Sequence, residues 1–124
     1  ISSTLASEGV SLAAAEAVVA WHERAEVCEA LWETGAEMRA IVRRALQASG
    51  TSGIEEDGID PMWLLRFDDP GRETRFLELA VDEGVLLKRG AYNFAALAHD
   101  EDVLAQLEHA ISSALVALRE ETGR

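Results

Sequence analysis

Val10-Ser11-Leu12-Ala13-Ala14-Ala15-Glu16-Ala17-Val18-Val19-Ala20-Trp21 is apolar on every side except at Ser11 and Glu16. A helix lying on a protein surface alternates an apolar stripe with a polar one, so this pattern belongs to a helix that protein encloses. A free-standing domain of 124 residues would leave such a segment half uncovered. The pattern therefore predicts a covering surface supplied by another part of a larger protein. A position at the centre of a small bundle is the plain alternative.

Downstream, the periodicity becomes that of an amphipathic chain. Val27, Leu31, Met38, Ile41, Val42, Ala45 and Leu46 recur at three- and four-residue steps and predict a helix over Glu26 to Ser49. Its opposite face reads as solvated. Glu26, Glu29, Glu33 and Glu37 precede Arg39, Arg43 and Arg44 there, an order that complements the helix dipole. Gly35 costs about 1 kcal/mol relative to alanine inside a helix, which marks a close approach of another backbone. Ser49-Gly50-Thr51-Ser52-Gly53 ends the helix.

Met62-Trp63-Leu64-Leu65-Arg66-Phe67, bounded by Asp60-Pro61 and Asp68-Asp69-Pro70-Gly71, predicts a buried strand, with Ile54 to Ile59 as its hairpin partner. A short helix follows over Arg72 to Glu83 and stops at Gly84; Val85 to Lys88 is expected to be a third strand. Asp100 is a good N-cap for a last helix that carries Val103, Leu107, Ile111, Ala114 and Leu118 inward to about Glu120. Three strands covered by helices on one face make an α+β layer.

Charge and cysteine content narrow the function classes. Twenty-three acidic residues against 11 basic ones give a formal charge of −12. Such a surface repels phosphate backbones and anionic membranes, and no basic cluster exceeds the pairs Arg43-Arg44 and Lys88-Arg89, so neither nucleic acid nor membrane is an expected partner. No run of about eighteen apolar residues occurs. One cysteine, Cys28, fits a reducing, cytoplasmic compartment. The chain opens on Ile1 and not on methionine, as a processed terminus, a cloned piece or a proteolytic product would.

Several local motifs then fall in one order. Ser3-Thr4-Leu5-Ala6-Ser7 leads into the alanine-rich helix, Gly84-Val85-Leu86-Leu87 follows the short helix, and Phe94 precedes Ala98-His99-Asp100-Glu101-Asp102-Val103. This set, covering nearly the whole chain, resembles the C-terminal portion of class III pyridoxal-phosphate (PLP) aminotransferases, in the branch that includes glutamate-1-semialdehyde aminomutase. The resemblance implies the small C-terminal domain of a fold-type I PLP enzyme: a three-stranded, mainly antiparallel sheet covered on one face by helices and preceded by a long apolar helix. Residues 1–24 would be the phosphate-contact turn and connecting helix from a large domain, and residues 25–124 the small domain.

The same resemblance implies that Ser3 and Thr4 bind the cofactor phosphate, Thr4 commonly across a dimer interface. A hydroxyl at a turn that opens a helix suits an anion; read by themselves, the same residues are helix caps. The expected partners are the enzyme's own large catalytic domain and a second subunit. Where many members carry an arginine for a substrate carboxylate, this chain reads Ala91-Tyr92-Asn93, and where the aminomutase carries a glutamate it reads Gly90 or Ala91. Lys88, Arg89, Tyr92 and Asn93 are then the candidates for the substrate vicinity.

Transamination needs an amine that carries the cofactor and a carboxylate against the pyridine nitrogen. The family order places both upstream of Ile1. Lys88 is the only lysine, and it falls on the final predicted strand and not in the place of the cofactor lysine, so this chain by itself is not expected to transaminate. No catalytic residue is assigned to it. His22, His99 and His109 are too scattered for zinc, and Cys28 has no cysteine partner, so no metal is expected. His99 beside Asp100 reads as a structural histidine next to a cap. Trp21, Trp32 and Trp63 read as core or interface residues. The rival reading is a non-catalytic α+β interaction domain that docks through its apolar helix.

Overall fold

The computed structural model describes residues 8–122. It contains, among those residues, helices α1 (Gly9–His22), α2 (Val27–Ser49), α3 (Pro70–Asp82) and α4 (Glu101–Thr122), and strands β1 (Ile54–Ile59), β2 (Met62–Phe67) and β3 (Asn93–Phe94). The chain divides into two compact units, Ile1–Ala30 and Leu31–Arg124, with the division inside α2. Among the described residues no helix is long and apolar enough to cross a membrane.

In the first unit α1 follows the predicted span. Glu8 caps it: its carboxylate accepts from the N–H of Val10 at 3.0 Å and of Ser11 at 2.8 Å, and from the Ser11 hydroxyl at 2.6 Å. Ser11, first among these partners, holds the Glu8 carboxyl below the usual carboxylate range. None of the residues of α1 is buried. A single helix that is apolar all round has no means of covering its own surface.

The second unit is an α+β layer. Its sheet has the order β1-β2-β3 with both pairings antiparallel. The register sets Ile54 opposite Phe67, Glu56 opposite Leu65 and Gly58 opposite Trp63, so these six share one face. Gly58 adopts φ +110°, and a side chain there would run into the Met62 carbonyl, which is why the hairpin carries glycine. One buried cluster joins that face to the helices: Met38, Ile41, Val42 and Ala45 from α2, Ile54, Trp63 and Leu65 from the sheet, Phe76 and Ala80 from α3, and Leu107, Ile111, Leu115 and Leu118 from α4. The Phe67 and Phe76 rings meet at 5.4 Å with a 45° tilt.

The hairpin, the apolar stripe of α2 and the ends of the later helices follow expectation. Asp100 accepts from the N–H of Val103 at 3.0 Å and caps α4. Gly84, at φ +85°, stops α3. The Gly35 expectation also holds, since a Cβ there would overlap the carbonyl of Asp60.

Three expectations need correction. Val85 to Lys88 is not a strand; the third strand is Asn93–Phe94, paired with Trp63 and Met62. Backbone donors of the expected strand are already engaged: the Val85 N–H reaches the Ala80 carbonyl at 2.9 Å, and the Lys88 N–H reaches Asn93 Oδ1 at 2.9 Å. Helix α3 begins at Pro70, not Arg72, because Asp69 accepts from the Arg72 N–H at 2.7 Å and Pro70 needs no donor at the first helical position. Arg39 does not belong to a solvated face; its side chain is 13% exposed and bonds Glu56 and Asp60. Of the three tryptophans expected in core or interface positions, Trp63 is a core residue, and Trp21 and Trp32 are exposed on the described surface.

Candidate functional site

The second unit contains an open cleft of about 480 Å³ between the helix-facing side of the sheet and α4. That volume lies within the roughly 300–1,000 Å³ of ordinary small-molecule sites. Trp63, the second residue of β2, forms part of its wall, with Met38 of α2 and Val103, Gln106 and Leu107 of α4. The segment Gly84 to Lys88 and the residues Tyr92, Asn93, Phe94 and His99 complete it.

Local hydrogen bonds hold this rim in place. Besides accepting from the Lys88 N–H, the Asn93 side chain donates to the Trp63 carbonyl at 3.5 Å, tying the segment to β2. The Gln106 side chain donates to the Glu83 carbonyl at 2.5 Å and ties α4 to the end of α3. Gly90 takes φ +53° and its N–H donates to Glu73 at 2.9 Å. His99 Nδ1 accepts from the Ala96 N–H at 3.1 Å, and Asp100 is spent on the α4 cap, so the two do not form an acid/base pair.

The charge lining the cleft is of one sign. No aspartate, glutamate or arginine lines it. The Lys88 ammonium stands 5.7 Å from the centroid of the Phe94 ring, a cation–π distance, and makes no ion pair among the described residues. The Trp63 side chain is fully buried, and its Nε1–H has no hydrogen-bond partner. An unpartnered buried donor is uncommon, because it forfeits the hydrogen bond it made with water.

Of the residues singled out from sequence, Lys88, Tyr92 and Asn93 come together at this cleft. Arg89 does not; its guanidinium bonds the Thr74 hydroxyl on α3. Ser3 and Thr4 lie outside the described residues. The sequence reading missed Trp63, His99 and Gln106 as lining residues. Only the indole N–H of Trp63, a polar handle on a residue of a buried strand, was a signal for one of them.

Neither a protein-family model nor a curated protein matches the chain at a significant level. Solved structures do match. One is the PLP internal aldimine form of the FumI protein of Sphingopyxis sp. MTA144, similar at a TM-score of 0.72 and 21% identity over 82% of this chain. The chain has the fold of that segment. It spans 25% of the length of the FumI chain.

The described residues of this chain do not by themselves fit PLP. The cofactor's ring nitrogen requires a facing carboxylate, and the cleft around Lys88 is lined by none. Its phosphate is best met by a cradle of backbone amides or a guanidinium, and no arginine lines the cleft.

Proposed function

We propose that this chain is the C-terminal part of a PLP-dependent enzyme of the class III aminotransferase type, in the aminomutase-like branch. The whole enzyme would move an amino group between an amine-bearing substrate and a keto or aldehyde acceptor. The observation that carries this reading is the fold, which matches a quarter of the length of a protein solved in a PLP form. The ordered motifs Ser3-Thr4-Leu5, Gly84-Val85 and Ala98-His99-Asp100 add support.

On this reading the large catalytic domain precedes the chain, carries the cofactor lysine and covers the apolar surface of α1, none of whose residues is buried here. Ser3 and Thr4 contact the cofactor phosphate, Thr4 in a second subunit of a homodimer. Lys88, Tyr92 and Asn93 lie toward the substrate entrance; Arg89, held by Thr74, only braces the loop. The enzyme works in the cytoplasm, where Cys28 stays a thiol. The 124-residue chain alone does not transaminate.

The coding sequence upstream of Ile1 tests this directly. A strand followed by a lysine in a glycine-rich turn, a few tens of residues earlier, is the expected finding. A stop codon or an unrelated domain there would instead favour a non-catalytic interaction domain, a reading that the exposed Trp21 and Val18 of α1 also accommodate. Added PLP followed by borohydride should leave no stoichiometric adduct on Lys88, and such an adduct would contradict the proposal.

A further inference from the structure

Four apolar side chains stand in solvent around the mouth of the cleft. Leu86 is 86% exposed, Phe94 53% and Tyr92 42%, and Val103 of α4 is exposed as well. Exposed apolar residues scattered singly need no explanation, but these meet around one opening, above the buried Met38 and Leu87, and form a continuous patch. The rim is held in place. Asn93 fixes the Lys88 N–H, Glu73 fixes the Gly90 N–H, and Thr74 holds the Arg89 guanidinium, so the backbone that carries Leu86 and Tyr92 is tied at three points to β3 and α3. A surface built in advance loses little freedom when it is covered. Acidic residues number 23 in the chain, yet no aspartate or glutamate lines the opening. An acid-free apolar rim on so acidic a chain is the mark of surface that other protein covers.

We propose that this opening is a docking surface for the part of the same polypeptide that precedes Ile1, which covers Leu86, Tyr92 and Phe94 with an apolar segment of its own. The inference rests on the reading of the chain as the C-terminal part of a larger enzyme. The matched fold spans 25% of the FumI chain, so most of such an enzyme lies outside these 124 residues. A second copy of this chain is a poorer occupant. Two-fold pairing of one opening with another sets Lys88 against Lys88 where no carboxylate lines the surface to offset them. Any other face of a copy's second unit brings acidic residues that would have to be stripped of water against an apolar rim. Helix α1 of a copy is, on the same reading, already covered.

The test compares the 124-residue chain with the full polypeptide of its open reading frame by hydroxyl-radical footprinting, read peptide by peptide. Tyr92 is the only tyrosine of the chain, and Phe94 is a second reactive ring beside it. Both are expected to react at least about fourfold more slowly in the full polypeptide, because the core of an interface packs as densely as a protein interior. Val116, exposed on α4 and not lining the opening, should keep its rate. Leu86→Glu in the full polypeptide should return Tyr92 toward its rate in the 124-residue chain, while in that chain the same substitution leaves the urea midpoint unchanged, since Leu86 is exposed. Unslowed Tyr92 and Phe94 in a full polypeptide that carries the cofactor lysine would overturn the docking surface and leave the enzyme reading standing. A full polypeptide without that lysine ends the enzyme reading, and the same two rates still decide the docking. Slowing that develops in the 124-residue chain alone as its concentration rises would assign the opening to a second copy and overturn the proposal, as would equal slowing at Val116.

Discussion

Gly35, in the middle of α2, lies against the backbone carbonyl of Asp60 at the turn between β1 and β2, with no room for a Cβ between them. The helix accepts the conformational cost of a glycine so that the hairpin turn can seat on its surface. Pro61, next to this contact, would also be struck by a side chain at position 35.

Gly35→Ala therefore separates two effects of opposite sign. Helix propensity alone would raise stability by about 1 kcal/mol. Displacing the turn costs roughly 1–3 kcal/mol, as overpacking elsewhere does. A net fall in the urea midpoint is expected, and a rise would show that the turn moves aside freely.

Glu56 is the one acidic residue of β1 that the register turns toward the helices, and its side chain is 4% exposed. Arg39 bonds one of its oxygens, and Arg43 the other at 2.7 Å. The bond to Glu56 is the main reason the Arg39 guanidinium is held more firmly protonated than usual. Glu56→Ala leaves Arg39 with Asp60 as its remaining carboxylate and should destabilise the chain by about 3 kcal/mol, the low end for a broken buried pair because Asp60 still faces Arg39 and Arg43 is half exposed. Arg66→Ala, which breaks an exposed pair with Asp57 on the other face, should change the denaturation midpoint little.

Acid should loosen the fold through its surface pairs. Arg66 holds the Asp57 carboxyl below its ordinary range, and Arg75 does the same for Glu121. Folded values lower than unfolded ones mean that the stabilisation is complete above the ordinary carboxylate range. It is lost as pH falls from about 4 through the lower folded values. Urea midpoints at pH 7, 4 and 3 should decline, and the decline should be shallower in Glu121→Gln, which removes one of the linked groups.

The two later helices depend on aspartate caps. Asp69→Ala and Asp100→Ala each remove an acceptor for a first-turn N–H, at 2.7 and 3.0 Å, and should each cost about 1 kcal/mol. Asparagine at either position should restore most of the loss, which circular dichroism melts would register.

Helix α1 should govern association. Val18 and Trp21 are 58% and 56% exposed on a helix with no polar side. Sedimentation of the wild-type chain is expected to show self-association that Val18→Glu combined with Trp21→Glu reduces. Unchanged sedimentation would remove the need for a covering surface.

Much of the fold was legible because its signals are local. The stripe of α2 depends on residues three and four apart, and the α4 cap on Asp100 and Val103. The hairpin depends on two apolar runs a few residues from each other. The Asp69-Pro70 start of α3 was equally local, but its turn-like composition masked a cap followed by a first helical residue. For the site, the sequence brought Lys88, Tyr92 and Asn93 to notice, and the cleft unites them. Arg89, adjacent to Lys88, is drawn away by Thr74, a residue of α3 that no spacing rule connects to it.

What this sequence determined by itself is where helices run and stop, which side of each is apolar, and that α1 has no polar side at all. Those outcomes arise from interactions within about one helical turn or one strand pleat. Tertiary structure alone decided that Val85 to Lys88 gives up its place beside β2 to Asn93–Phe94, that Glu56 is buried under two arginines, and that the Trp63 N–H is buried without an acceptor. Each depends on partners tens of residues away, whose positions only the closed core fixes.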